Sequence, residues 1–146
     1  MVDKTLILKK VSALDEYIKQ IGEYASIRVK AYADDWKIQR IVERTLQMMI
    51  ETCLDISGHI ISDENLRVPE TYADVFRIMV ENGILSGSHL ASFEKMARFR
   101  NIVVHDYVRI DPEIVVGILR NNLDDFEGFK ASVIMYLIKY EANQTE

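Results

Sequence analysis

Hydrophobic residues recur at steps of three and four along most of the chain, a spacing that is typical of amphipathic helices. The first such stripe predicts a helix over about residues 3–31: Ile7, Val11, Leu14, Ile18, Ile21 and Ala25. Gly22 weakens this helix locally without ending the pattern, and the helix can bend there. The second stripe begins after Asp34, a good N-cap residue. It predicts a second long helix with an inward face: Ile38, Ile41, Val42, Thr45, Met49, Cys53, Ile56 and Ile60.

A short third helix is predicted over about residues 72–81, after a polar loop at residues 62–69. Thr71 is its expected N-cap, and Asp74 stands at the reciprocal position of a capping box. Asn82-Gly83 ends it, because both residues tolerate a left-handed backbone.

Two more helices complete the pattern. The fourth follows residues 86–88 and has an apolar face: Leu90, Phe93, Ala97, Val103 and Val104. The fifth starts at Asp111-Pro112, where aspartate caps and proline fits the first helical position, and it runs to about residue 140. Its expected core side chains are Val115, Leu119, Phe126, Phe129, Val133 and Leu137.

No strand pattern, internal repeat or linker interrupts this series of helices. Four longer helices and one short one predict an all-α fold, an antiparallel four-helix bundle with one additional short helix. We expect a single domain over residues 1–146, with the lone Cys53 buried. No apolar run approaches the roughly 18 residues of a membrane span, and no secretory signal is visible, so we expect a cytoplasmic protein without a membrane partner.

Overall charge argues against nucleic acid as a partner, since the net charge is −5 and the pI about 5.3. The charge is unevenly spread, however. Residues 88–109 carry a local excess of two positive charges, a small basic island that can still hold a phosphate. Its charged members are Lys95, Arg98, Arg100 and Arg109 against Glu94 and Asp106.

Candidate chemistry is concentrated in residues 98–107, at the end of the fourth helix. Asn101 and His105, four apart, share a helical face, whereas Arg100 and His105 are about 140° apart on a regular helix. Arg100 and His105 can therefore converge in two ways. Either the helix breaks before His105, or two copies of the segment face each other across a dimer.

Two interpretations of this pair are open. An imidazole can move the protons of RNA cleavage without a metal, while a guanidinium holds the phosphate and stabilises the transition state. Alternatively, His105 caps the negative end of its helix and Arg100 is a surface charge. From the residues alone the second interpretation is favoured, because an arginine and a histidine five apart are common.

The pattern Arg100-x4-His105-x-Tyr107 resembles the signature of HepT-like proteins, which belong to the HEPN superfamily. Further similarity runs in the same order through nearly the whole chain, in Glu43–Gln47, Glu51–Ile56, Pro69–Tyr72, Gly83–Leu85, Met96–Asn101 and Asp111-Pro112. One departure is Thr45, which stands where many relatives have asparagine.

The resemblance implies a metal-independent endoribonuclease toxin that dimerises, needs no cofactor, and uses Arg100 and His105 as catalytic residues. It also implies a nucleotidyltransferase antitoxin that attaches AMP to Tyr107. RNA is the expected substrate, and DNA is not expected. Substrate-binding or supporting roles are expected for three neighbouring residues, Arg98, Asn101 and Asp106.

Two other functions remain as alternatives, a non-catalytic helical partner that binds and regulates a nucleotidyltransferase, and a scaffold that only dimerises. No metal site is expected. Glu51, Asp55 and His59 share one helical face, for which a solvated or ion-paired surface is the favoured interpretation. His89 is expected to be exposed and Trp36 to lie in the core or an interface.

Overall fold

The computed structural model describes residues 1–105 and 109–145, and every regular element within these ranges is a helix. The prediction of an all-helical fold is confirmed, while the antiparallel arrangement of a four-helix bundle and the single domain remain predictions. No helix in the described ranges is both long and apolar enough to cross a membrane. The α-helices are α1 (Lys4–Gly22), α2 (Val29–Ala33), α3 (Trp36–Asp63), α4 (Tyr72–Glu81), α5 (Leu90–His105), α6 (Pro112–Asn121) and α7 (Leu123–Gln144), with a 3₁₀ turn at Gly87–His89 before α5.

The predicted first helix is two helices, because the chain leaves the α conformation after Gly22. The next three backbone N–H groups each bond to the carbonyl three residues earlier, which tightens and ends the helix. The short α2 then brings Tyr32 into the core, 1% exposed. Gln39 donates its side-chain amide to the carbonyls of Tyr32 and Ala33, which satisfies the end of α2. Asp35, not Asp34, caps α3.

Helix α3 contacts α1, α2, α4 and α5 and therefore lies at the centre of the fold. Its predicted inward face is buried from Val42 to Ile60, Cys53 included, but Ile41 is exposed. Trp36, the first residue of the helix, is also exposed, so it does not lie in the core, and its place in an interface stays a prediction. The Ser57-Gly58 pair does not interrupt the helix, and the serine is buried.

Helix α4 begins and ends where its capping residues predicted, with the Thr71 hydroxyl accepting from the Asp74 N–H. The carboxylate of Asp74 does not complete a capping box. It accepts two hydrogen bonds from Arg67, each 2.7 Å long, and one from the N–H of Glu70. Arg67 also bonds to Glu81 at the far end of the helix. The Arg67 hydrogen bonds, helped by the backbone bond, lower the pKa of Asp74 to about 2.

The predicted fifth helix is also divided, into α6 and α7. Asn122 leaves the helical conformation at φ −121°, and its side-chain amide donates to the buried carboxylate of Asp125. Asp125 also pairs with His89, whose Nδ1 lies 2.9 Å from Oδ1, so His89 is only partly exposed. All the core side chains predicted for this segment are buried. An aromatic cluster of Phe76, Phe93 and Phe129 joins α4, α5 and α7.

We predict that Asp74→Ala lowers the free energy of unfolding by about 1–2 kcal/mol, because it leaves Arg67 and the Glu70 N–H without their best acceptor. A carboxylate with a lowered pKa stabilises the fold at pH values above its unfolded pKa of about 4, and this contribution disappears as the pH falls towards 2. In urea unfolding, the free energy of unfolding of the wild type should therefore approach that of the variant as the pH falls from about 4 towards 2.

Glu81→Ala is the matched control, because Glu81 binds the same arginine from an exposed position. Its effect should be smaller, as exposed ion pairs contribute little. The role given to Asp74 would be contradicted if both variants lost the same free energy of unfolding. It would also be contradicted if the difference between Asp74→Ala and the wild type stayed unchanged down to pH 2.

Candidate functional site

Helix α5 presents one face to the core and the other to solvent. The core face buries Phe93, Met96, Ala97 and Phe99. The opposite face exposes Arg98, Asn101, Ile102 and His105. Asn101 and His105 thus share a face, as their spacing predicted, and both line a cavity of about 540 Å³ beside the first turn of α4.

Helix α5 continues to His105 as its last residue, so no helix break separates it from Arg100. The Arg100 side chain projects towards α3 and is only 15% exposed. Its Nε donates to Oε1 of Glu51 at 3.0 Å, and its Nη1 donates to Oδ1 of Asn101 at 3.2 Å. The guanidinium carbon lies 4.6 Å from the centre of the Tyr72 ring. Arg100 is therefore not an ordinary surface charge.

Tyr72 stands between two cavities. His105 and Asn101 line the first, together with Pro69, Glu70, Thr71, Tyr72 and Val75. Arg100 lines the second, a cleft of about 660 Å³ that is also lined by Tyr17, Arg44 and Glu51. Among the residues that the structure describes, only Tyr72 and Val75 line both cavities. Within one chain, the guanidinium and the imidazole therefore open into different spaces.

The acidic face of α3 is ion-paired, which confirms the interpretation favoured from the sequence. Glu51 pairs with Arg100 and also accepts from the Gln47 side chain at 3.2 Å. Asp55 pairs with Lys10 of α1 at 2.8 Å. Within residues 1–105 and 109–145, no group of three or more histidine, cysteine or acidic side chains is arranged to hold a metal ion.

The structure gives the basic residues different roles. Arg98 is exposed on the face that carries His105. Arg109 donates to the carbonyl of Ala33 at 2.6 Å and so attaches the chain before α6 to the end of α2. Asp106 and Tyr107, which the sequence also singled out, lie outside the described residues.

Sequence reasoning missed the partners of Arg100. Glu51 and Tyr72 come from α3 and α4, and spacing along α5 carries no information about residues 49 and 28 positions away. The available signal was the density of polar residues on α3, which predicts a paired surface but does not name the partner.

A family model described as "Ribonuclease HepT-like" matches residues 14–133. Among curated proteins, the mRNA nuclease HepT of Shewanella oneidensis is 31% identical over 124 residues, which cover 85% of this chain and 92% of that protein. The tRNA nuclease HepT of Aphanizomenon flos-aquae is 25% identical over 143 residues, or 96% and 95% of the two chains.

Solved structures are similar over the same length. One is a tri-AMPylated HEPN toxin of Shewanella oneidensis in complex with an MNT antitoxin, with a TM-score of 0.82 and 28% identity over 91% of this chain and 99% of that one. A cytosolic Bacillus subtilis protein of unknown function, YutE, has a TM-score of 0.81 over 95% of this chain and 93% of that one. At 18% identity this second likeness shows the fold alone.

Proposed function

The chain belongs to the HepT-like ribonuclease family, and from this premise we propose that it is the ribonuclease toxin of a toxin–antitoxin pair whose antitoxin is a nucleotidyltransferase. The observation that carries the proposal is the family match over residues 14–133, which includes the whole Arg100–Tyr107 motif. Relatives named as mRNA and tRNA nucleases support the activity, and a related toxin in complex with an MNT antitoxin supports the partner.

The proposed reaction needs no metal. A His105 imidazole removes the proton of a ribose 2′-hydroxyl, and the 2′-oxygen attacks the adjacent phosphorus. The bond from phosphorus to the 5′-oxygen breaks, and a second imidazole protonates that oxygen. The products are a 2′,3′-cyclic phosphate and a 5′-hydroxyl. Arg100 stabilises the negative charge that accumulates on the phosphoryl oxygens in the transition state.

A two-fold dimer would supply both imidazoles, and the arrangement of one chain supports this part of the proposal. Arg100 points towards α3 while His105 is exposed to solvent, and the two side chains line different cavities, which favours a second chain as the source of a further catalytic group. Ile102 is 42% exposed on the face that carries His105. A two-fold axis brings any patch against its own copy, so burial of Ile102 would help to hold two α5 helices together.

Substrate-binding and supporting roles are proposed for the residues around the pair. Arg98 shares the exposed face of His105 and can hold a flanking phosphate, a contact that weakens as salt rises. Asn101 accepts a hydrogen bond from Arg100 and lines the cavity that His105 also lines, so it is suited to orient Arg100 beside the substrate. Asp106 directly follows His105 in the sequence and is proposed as a supporting residue.

We predict that purified protein cleaves total RNA in EDTA and leaves 2′,3′-cyclic phosphate ends. His105→Ala and Arg100→Ala should each lose roughly 100-fold or more in rate, because they remove the proton-transfer group and the phosphate-stabilising charge. His59→Ala, a histidine of α3 away from the motif, is the control and should cleave normally. Circular dichroism should show that all three variants fold.

A folded His105→Ala protein with wild-type activity, or strict dependence on a metal, would refute this mechanism. If the wild type cleaves no RNA yet binds a nucleotidyltransferase, the chain is the non-catalytic regulator instead.

We predict that Ile102→Asp converts a dimer into monomers and reduces cleavage with it, because a carboxylate is costly to bury at a two-fold contact. Ile138→Asp is the control, as Ile138 is also exposed but lies on α7. Sedimentation velocity and the cleavage assay should be run on both. Monomeric wild-type protein with full activity would overturn the dimer, and so would an Ile102→Asp variant that stays dimeric and active.

We propose Tyr107 as the residue that the antitoxin modifies. AMP attached there would add a negative phosphate and a bulky nucleoside two residues from His105. With nucleotidyltransferase and ATP, the wild type should gain the mass of AMP and lose cleavage. Tyr107→Phe should remain unmodified and keep most of its activity, whereas Tyr24→Phe should behave as the wild type. Modification of Tyr107→Phe would disprove this assignment.

A further inference from the structure

Arg100 is a charged side chain that the fold has largely removed from water. Only 15% of it is exposed, and a charge in such a position is costly unless an opposite charge and hydrogen bonds compensate it. Glu51 provides both, through a single bond from Nε to Oε1 of 3.0 Å. The position of Glu51 on α3 therefore decides where the guanidinium of α5 can rest.

The contact with Glu51 uses Nε of the guanidinium, and the two Nη nitrogens have N–H groups beyond this contact. Nε is occupied by Glu51, and Nη1 donates once, to Asn101. In the described part of the chain, no acceptor is bound to Nη2. The outer N–H groups of Nη1 and Nη2 are the pair that binds two oxygens of a phosphate side by side.

Two further contacts restrict movement of this arrangement. The side-chain amide of Gln47, one turn earlier on α3, donates to the same oxygen of Glu51 at 3.2 Å and so fixes the carboxylate. The ring of Tyr72, 4.6 Å from the guanidinium carbon, covers one face of the group and attracts its charge. The guanidinium is thereby held in one orientation before any substrate arrives.

We propose that Glu51 is a positioning residue for the reaction. Its carboxylate holds Arg100 against Tyr72 so that the outer N–H groups face the scissile phosphate. This inference rests on the proposed ribonuclease function. Because a group oriented in advance loses no freedom in the transition state, Glu51 should act mainly on kcat and little on KM.

The test separates hydrogen-bond geometry from charge by means of two conservative variants. Glu51→Gln keeps an acceptor at the same distance and removes the charge, so its kcat should stay within about 3-fold of the wild type. Glu51→Asp keeps the charge but withdraws the oxygen by one methylene group, so its kcat should fall about 10-fold or more with little change in KM. The kcat of Glu51→Ala should fall at least as far as that of Glu51→Asp.

Asp55→Asn supplies the matched control, since Asp55 lies one turn further along α3 and pairs with Lys10 instead of Arg100. Its kcat and KM should equal those of the wild type. All rates should be measured on one fluorescent oligoribonucleotide that the wild type cleaves, after thermal melting has shown that each variant folds.

A double-mutant cycle shows whether Glu51 works through Arg100. In an Arg100→Ala background, Glu51→Asp should cause no further loss, because the group that it positions is gone. A large additional loss would overturn the proposal, and so would a Glu51→Asp variant more active than Glu51→Gln. If Arg100→Ala itself cleaves normally, the proposed function fails. If only the Glu51 variants cleave normally, the positioning role alone fails.

Discussion

A largely buried arginine needs a counter-charge, and much of the candidate site depends on how this chain provides one. Glu51 comes from the central helix α3, and two of the helices that α3 contacts are α5, which carries Arg100, and α4, which carries Tyr72. The ion pair therefore joins the elements that surround the motif. Because α3 also packs on α1 and α2, the guanidinium is fixed relative to much of the fold and not only to its own helix.

Helix α5 separates the two groups of the motif by its own geometry. A regular helix through His105 directs Arg100 inwards to α3, while His105 remains on the solvent side with Asn101. Of the two routes to convergence that the sequence left open, the helix break is excluded by this continuity. The other route, a second copy of the chain, is the basis of the proposed dimer, and it would place an exposed imidazole where a partner can reach it.

Capping residues in the sequence correctly predicted where some of the helices begin and end. Thr71 and Asn82-Gly83 gave the bounds of α4, and Asp111-Pro112 gave the start of α6, since caps act within one turn. The breaks after Gly22 and at Asn122 were missed because the apolar spacing continues across both. Apolar side chains on both sides of each break still pack on the core while the backbone turns, so periodicity alone cannot detect the change of direction.

In the candidate site, too, relations within one helix could be predicted from the sequence, whereas contacts between helices could not. The shared face of Asn101 and His105 follows from spacing on one helix, and the chemistry assigned to the motif came from resemblance to a family. The Glu51–Arg100 pair could not be predicted, because it joins helices whose packing the stripes do not specify.

The Glu51–Arg100 pair also affects how AMP attached to Tyr107 would stop the proposed cleavage of RNA. The motif region carries a local excess of only two positive charges on a protein of net charge −5, and Glu51 offsets part of that excess from α3. Attraction for RNA phosphate is therefore weak to begin with. A single AMP phosphate on Tyr107 would add one more negative charge and cancel what remains of the excess, so one covalent modification would remove the electrostatic attraction for the substrate.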